Sequence, residues 1–437
     1  MILTLLIYRN LSKPMNINKH FFKVGGFVRD TLLGLEPKDI DYVVVGLNED
    51  DMLLAGYKCV GADFPVFLHP ETKDEYALAR IERSTGVGYK DFECIAHKDV
   101  TLEEDLYRRD LTINAIAMNE EGDIIDPYEG RKDLENRVLR HVSEAFIDDP
   151  LRVLRVARFM ARYGHLGFTI DSKTEVLMRN MCNTNMLNHL SKERIWKETE
   201  KALMEPNPRL YFETLLKVNG LKDWFPELES LKDVPQPLEH HPENCTWEHT
   251  LLCLDESVKR NAPAEVRWAV MCHDLGKALT PKELLPKHHD HEEKGVPLVK
   301  ALCFRLGTPK KYTWVAEKVC RLHLNIHRSL DLKPKTLLSI LKECNYQRAL
   351  DDIKMIVDAC ECDAKGRTGF SDKPYPQREF VLNCAKKLNE IDEGSIALSV
   401  DNKKIIPQRI HEERMRVIKK FKKDYTSTCL EHNACAF

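Results

Sequence analysis

The 437-residue sequence has no CxxC pair, no internal repeat, no long low-complexity run and almost no net charge, −3 at neutral pH. Each absence excludes something. Fourteen cysteines without a repeating spacing read as reduced thiols of a cytosolic protein, not as a disulfide framework. Cys253, Cys272 and Cys320 lie inside apolar runs, and Cys360 and Cys362 form a CxC. With no global basic field, any RNA binding must rest on local patches. The opening "MILTLLIY" is far too short to span a bilayer and lacks the basic segment before a signal-peptide core, so no membrane partner is expected. No acidic residue precedes Asp30, which leaves an organelle-targeting segment or initiation at Met15 open; residues 1–18 are read as an extension.

What is present is an ordinary globular balance, 43% hydrophobic and 31% charged, in a chain too long for one core. Residues 19–126 carry short β-branched runs between turns ("FFKVGG", "DYVVVG", "EYALARIE", "LTINAIAM", "GDIIDPYEG"), whereas helical periodicity dominates from about 131. Breaks fall near 130, near 204 and at the proline-rich "KDVPQPLEHHPENC", which reads as the best linker. The expected partition is an extension (1–18), a head (19–140), a helical neck (141–232), a histidine-bearing domain (240–350) and a helical tail (351–437).

Chemistry first appears in "VGGFVRDTLLGLEPKDIDYVVVG", residues 24–46. Gly25 and Gly26 let backbone N–H groups approach a triphosphate, and Arg29 in the following turn could pair with its oxygens. Asp39 and Asp41 stand two apart at a strand entrance, which points both carboxylates to one face. Paired aspartates suit two Mg²⁺ ions that activate an attacking hydroxyl and stabilise a leaving oxygen. Glu75, ahead of a strand-like alternation, is the candidate third carboxylate.

A second group reads as a base selector. In "RRDLTINAIA", Arg109 could bind ribose or phosphate while Asp110 and Asn114 hold the turn. In "DDPLRVLRVARFMARYG", Arg152, Arg155, Arg158 and Arg162 share one helical face with no interleaved acid, which favours an anionic partner over a merely solvated face. Cytosine and adenine both place an amino donor beside an unprotonated ring nitrogen. Asp149 can accept from the first and Arg152 donate to the second; uracil and guanine would meet mismatched groups.

These motifs resemble those of the bacterial class II tRNA nucleotidyltransferases, the CCA-adding enzymes, of the multifunctional kind with an HD domain. The resemblance runs from about residue 20 to about 425. It rests on Gly25, Gly26, Arg29 and Asp30; on Asp39 and Asp41; on RRDxxxNA at 108–115; on Asp126, Gly130, Asp133 and Leu134 of a hinge motif; on DDxxR at 148–152, with Asp148 where Glu is usual; and on Glu193 and Arg194. It implies an α+β nucleotidyltransferase head of the polymerase-β-like superfamily, a five-stranded sheet with helices, followed by all-α neck, body and tail. It further implies Mg²⁺-dependent addition of C, C and A to tRNA from CTP and ATP without a nucleic-acid template, with Arg155 and Arg158 also contacting nucleotide. A homodimer is an open alternative to a monomer.

Past the proline-rich stretch, His249, His273-Asp274 followed by Leu-Gly-Lys, His291 and His323 match the HD phosphohydrolase pattern, whose imidazoles and carboxylates suit a divalent transition metal. The resemblance implies phosphatase, 2′,3′-cyclic phosphodiesterase and 2′-nucleotidase activity, with Ni²⁺ as a candidate. Asp358 and Asp363 both qualify as the terminal ligand, and isolated His323 and His327 also fit surface histidines. The closing segment 403–424 holds nine Lys/Arg against three acids, which suits tRNA phosphates or a solvated helix. The rival functions are a poly(A) polymerase of the same superfamily, a uridylyltransferase, against which the Asp149–Arg152 logic argues, and a tRNA-binding protein that has lost catalysis.

Overall fold

The computed structural model describes residues 17–60, 65–84 and 92–431. The expected extension and its Met15 start lie almost wholly outside them. The chain forms two compact units, up to Ser191 and from Lys192 onward. The proline-rich stretch therefore lies inside the second unit and does not divide the chain at this level. The reason is visible across it: Arg209, before the stretch, donates to Glu248 at 2.7 Å and to Asp255 at 3.3 Å, both beyond it.

The first unit opens with β1 (Phe21–Val24), α1 (Gly26–Leu32), β2 (Asp41–Val44), α2 (Glu49–Leu54), β3 (Lys58–Val60), β4 (Val66–Leu68) and β5 (Glu75–Leu78). A hairpin of β6 (Ile81–Ser84) and β7 (Phe92–Ile95), α3 (Leu102–Tyr107), β8 (Ala117–Met118) and β9 (Ile124–Ile125) complete the head. The main sheet runs β3-β4-β5-β2-β1-β8-β9, with β2 and β5 parallel. It has seven strands and not the expected five, because the two-residue β8 and β9 extend the ladder beyond β1.

Alternation along the strands buries both faces. Phe21, Val44, Tyr76 and Leu78 pack with Met52 of α2 on one side; Val24, Val43 and Ala117 pack with Leu106 of α3 on the other. Reciprocal capping boxes start α2 (Asn48 with Asp51) and α3 (Thr101 with Glu104), each satisfying the N3 and cap N–H groups at the solvent side of the helix start.

Then follow α4 (Gly130–Asn136), β10 (Val138–Leu139), α5 (Leu151–Tyr163), β11 (Thr169–Ile170) and α6 (Ser172–Asn183), with β10 and β11 in a small parallel pair. Asp126 caps α4 by accepting from Gly130 N and Arg131 N.

The second unit is helical: α7 (Lys192–Leu203), α8 (Arg209–Lys217), α9 (Pro226–Glu229), α10 (Thr246–Lys259), α11 (Ala264–Cys272), α12 (His291–Leu306), α13 (Lys310–His327), α14 (Pro334–Glu343), α15 (Leu350–Lys365), α16 (Gln377–Asn389), α17 (Glu393–Leu398) and α18 (Ile406–Glu431). No helix among the described residues is long and apolar enough to cross a membrane.

Candidate functional site

The head gathers its carboxylates at one end of the neighbouring inner strands β2 and β5. Strand β2 begins at Asp41, so Asp39 lies two residues ahead of it, and both are exposed. Parallel pairing sets Asp41 directly beside Glu75, the first residue of β5, on strands about 4.8 Å apart. Glu75 is also exposed. Although Asp41 is exposed as a residue, partial desolvation of its carboxyl raises it above its usual range; Arg109 opposes that rise, and the Asp39 charge adds to it. The three carboxylates offer hard oxygen donors, and the set fits Mg²⁺.

Gly25 adopts φ +64°, and a Cβ there would stand 3.2 Å from Arg109 Nη1. The tight turn thus admits Arg109 beside the glycine pair. Arg109 is itself held by Asp105, which is fully buried and also takes Arg108 at 2.6 Å. Asp105 escaped the motif reading, although its i+3 and i+4 spacing to Arg108 and Arg109 on a helical stretch was the available signal.

Arg29 is placed differently from the expectation. It is buried beneath the Gly25–Gly26 turn, donates to Asp30 at 2.9 Å and Asn114 at 2.5 Å, and lies over the rings of Phe159 and Tyr163, 5.2 Å from each. Its guanidinium braces the fold in place of reaching for phosphate.

The arginine face of α5 is likewise corrected. The anions that Arg155 and Arg162 meet are the head's own aspartates: Arg155 donates to Asp110 at 2.7 Å and Arg162 to Asp30 at 2.8 Å. Burial alone would raise the Asp110 carboxyl, but Arg155 and Asn114 overrule it and hold it well below the usual range. Asp110 also accepts from Leu111 N and from Asn114, holding the turn as expected. Arg152, buried, donates to the carbonyls of Ala145 and Arg108, both at 2.5 Å. Asp149, half-buried just before α5, accepts from Leu151 N. Arg158 is buried with its guanidinium over Phe159.

One turn therefore links the two groups of residues. Residues 108–114 touch the glycine turn through Arg109, α1 through Asn114, and α5 through Asp110 and the Arg108 carbonyl.

In the helical unit, side chains from α10, α11, α12, α13 and α15 converge. His249 lies on α10, His273 and Asp274 end α11, His291 opens α12, His323 is on α13 and Asp363 on α15. A glycine pair permits the approach: a Cβ on Gly276 would stand 1.9 Å from the His291 carbonyl oxygen, and Gly276 abuts Gly295 of α12. Oδ1 of Asp274 faces His291 (3.3 Å) and His323 (3.7 Å); Oδ2 faces His273 (3.2 Å) and His249 (3.9 Å). Asp363 lies 3.1 Å from His249 Nε2 and 2.7 Å from His327 Nε2. Of the two candidate terminal ligands, Asp363 lies in the cluster, whereas Asp358 pairs with Arg378 and Lys354. His327, read with a surface alternative, joins the cluster through Asp363.

The hydrogen bonds fix which ring nitrogens look inward. Nδ1 of His273 donates to the Val270 carbonyl, that of His291 to the His288 carbonyl, and that of His323 to the carbonyls of Val319 and Cys320. In its neutral form each ring would turn an Nε2 lone pair to the centre; His273, facing Asp274 and Asp363, would give up its Nε2 proton on binding an ion. Glu243, which no motif disclosed, lies 3.0 Å from Nδ1 of both His249 and His241.

Burial drives His323 down to about 3, whereas Asp274 and Asp363 outweigh burial and push His273 up to about 9. The Asp274 carboxyl would be raised by burial, but His273 and Lys277 hold it well below its usual range. Lys277 Nζ lies 2.6 Å from Asp274 Oδ2, whereas Asp274 Oδ1 and His273 Nε2 are buried without a hydrogen-bond partner. Buried acceptors facing one another at these distances are what a divalent ion satisfies, so the residues fit a resident metal.

Comparison with known proteins matches three stretches of the chain. The family model of the poly A polymerase head domain matches residues 21–140, that of a probable RNA and SrmB-binding site of polymerase A matches 167–232, and the HD domain matches 246–361. The chain is similar to the multifunctional CCA protein of Hahella chejuensis, 47% identical over 92% of this chain and 96% of the relative. The protein of the same description from Haemophilus influenzae is 46% identical, with 92% and 99% covered. Among solved structures, the fold resembles a CCA-adding enzyme of Bacillus stearothermophilus in complex with CTP (TM-score 0.62, 22% identity, 95% of each chain) and one of Thermotoga maritima complexed with tRNA (TM-score 0.54, 20% identity, 98% of each chain).

Proposed function

The chain belongs to the multifunctional CCA protein family, and from that premise we propose that it adds and repairs the 3′-terminal CCA of tRNA from CTP and ATP without a nucleic-acid template. Its helical unit hydrolyses phosphoesters, with phosphatase, 2′,3′-cyclic phosphodiesterase and 2′-nucleotidase activity. We retain the partition at 140, 232 and 350 as the functional division within the two units.

The observation that carries the transferase reading is the 108–114 turn, which ties the glycine turn and its neighbouring carboxylates to the base-reading helix. Asp39 and Asp41 hold Mg²⁺, with Glu75 as the third carboxylate. The metal, when bound, makes the terminal tRNA hydroxyl a better nucleophile and stabilises the departing pyrophosphate. The glycine turn and Arg109 receive the triphosphate and ribose. Asp149 and Arg152 receive the base; the two carbonyl acceptors of Arg152 set its guanidinium plane before any nucleotide arrives, which is pre-organisation for edge recognition. Arg155 and Arg158 line the same helix.

In the HD unit, His249, His273, Asp274, His291, His323 and Asp363 hold the divalent transition metal, with Ni²⁺ as a candidate; such an ion lowers the pKa of bound water. Glu243 orients His249 by holding its Nδ1 proton.

The test is a tRNA lacking its end, incubated with purified protein, Mg²⁺ and single nucleotides. CTP alone should add two residues, ATP should complete the end, and UTP and GTP should give nothing. Adenylation without cytidine incorporation would replace this reading with poly(A) synthesis.

A further inference from the structure

We propose that Cys253 supplies a thiolate ligand to the metal centre of the helical unit, giving that centre a mixed nitrogen, oxygen and sulfur donor set. The proposal rests on the reading of this cluster as a metal hydrolase site. It separates one cysteine from a set whose members look alike in sequence.

Cys253 lies on α10 one turn after His249, so the two side chains share a helical face. Its Sγ is 3.5 Å from His249 Nε2 and 3.9 Å from Nδ1, on the side of the nitrogen that faces the cluster. The thiol is also 3.9 Å from the Asp363 carbonyl, a long contact for satisfying it. Donor atoms of His249, Cys253, His273 and Asp363 all lie within 4.8 Å of one another, and all four residues are buried. Two ligands on opposite sides of one ion, at about 2.1 Å for nitrogen and 2.3 Å for sulfur, would stand about 4.4 Å apart. The group has the span of one coordination sphere.

A second observation points to an ion independently of the cysteine. His273 Nε2 and Oδ1 of Asp274 are buried and lack hydrogen-bond partners, although the residues are at most 1% exposed; the other carboxylate oxygen faces the Lys277 ammonium at 2.6 Å. Among the described residues, no other cysteine joins a donor group. The other thiols nearby have ordinary surroundings: Cys303 accepts the Trp268 indole N–H, and Cys320 lies 3.6 Å from the Glu292 carbonyl.

On binding, the Cys253 S–H bond breaks, its proton passes to solvent, and the sulfur lone pair forms the bond to the divalent ion. No electron transfer is involved. A thiolate favours the borderline and soft ions, Co²⁺, Ni²⁺, Zn²⁺ and Cd²⁺, over Mg²⁺ and Mn²⁺. The two halves of the protein would then draw on different metals because their donor atoms differ.

The test is the near-ultraviolet spectrum of the full-length protein loaded with Co²⁺, with bound cobalt measured alongside. The wild type should show a sulfur-to-cobalt charge-transfer band. Cys253→Ser should lose the band and weaken Co²⁺ binding by about tenfold or more, whereas Cys272→Ser should keep both. Circular dichroism checks that each variant is folded, and Cys253→Ala carries the same comparison should the serine variant not fold. Bound cobalt without the band, or a band that survives in both Cys253 variants, overturns the proposal and leaves the metal site standing. A wild type that binds no cobalt, nickel or zinc overturns the metal-site reading and the proposal with it.

Discussion

The two metal-binding regions of this chain are built in opposite ways. In the head, Asp39, Asp41 and Glu75 are exposed and come from the starts of neighbouring strands and the loop before them. In the helical unit, His249, His273, Asp274, His291 and His323 are buried, and hydrogen bonds to backbone carbonyls already choose the tautomers of three of the rings. The difference follows from what each ion must do. On the proposed function, Mg²⁺ would enter with a triphosphate and keep much of its water, for which an open end of hard oxygen donors suffices. A hydrolytic ion that stays through many turnovers needs donors that are desolvated and fixed beforehand.

The comparison is broken most severely by exchanging which region is disabled. Asp41→Ala should lower nucleotide transfer by about a thousandfold or more, since the metal contributes several kcal/mol to the transition state, and leave phosphoester hydrolysis intact. His273→Ala should do the reverse. Assaying both reactions on both variants checks this, and loss of both activities in either variant would mean that the regions do not work independently.

Next in size is the choice between two aspartates on α15. Asp363→Asn should weaken transition-metal binding by about 10- to 100-fold. Asp358→Asn, whose partners Arg378 and Lys354 are a surface network, should leave metal content unchanged and shift stability by about 1 kcal/mol or less. Elemental analysis and thermal melting separate the two. Glu75→Gln should lower the transfer rate by about tenfold, less than Asp41→Ala, because it stands beside the Asp pair and not within it; single-turnover kinetics with CTP measures it.

The smallest effect concerns the brace between α5 and the head. Removing the acid with Asp110→Ala leaves Arg155 without its partner and should cost about 2 kcal/mol of the first unit's stability. Because the folded Asp110 carboxyl is held below its unfolded value, the pair's contribution is in full force above about pH 4 and is lost only on further acidification. Wild type and variant should therefore differ by a constant amount from pH 5 to 8 in chemical melts and converge only below pH 4.

Much of this was legible in the sequence because it is local. The glycine pair, the Asp39–Asp41 spacing, the RRDxxxNA run and the His273–Asp274 pair each occupy a few residues, and their chemistry follows from side-chain type and period. Glu75 was legible as a candidate, but its position beside Asp41 depends on a parallel strand pairing over 34 residues. What escaped depends on distant chain segments meeting. The absence of acids along α5 pointed to an external anion for its arginines, whereas two of them meet acids of the head, Asp30 being 132 residues from Arg162. The same limit hid Glu243, and it left Asp358 and Asp363 equivalent until five helices brought Asp363 alone into the cluster. Arg29 shows the converse: a basic residue beside a glycine turn looks like a phosphate ligand until Asn114, 85 residues on, is seen to accept its proton.

The open-versus-closed distinction is tested most directly by metal content after long dialysis and gel filtration without added ions. The full-length protein should emerge with a tightly held transition metal, absent from His273→Ala, and with no magnesium; adding Mg²⁺ alone should then restore transfer at once. A chain that emerges free of transition metal and still hydrolyses phosphoesters, or that retains magnesium stoichiometrically, would contradict the account.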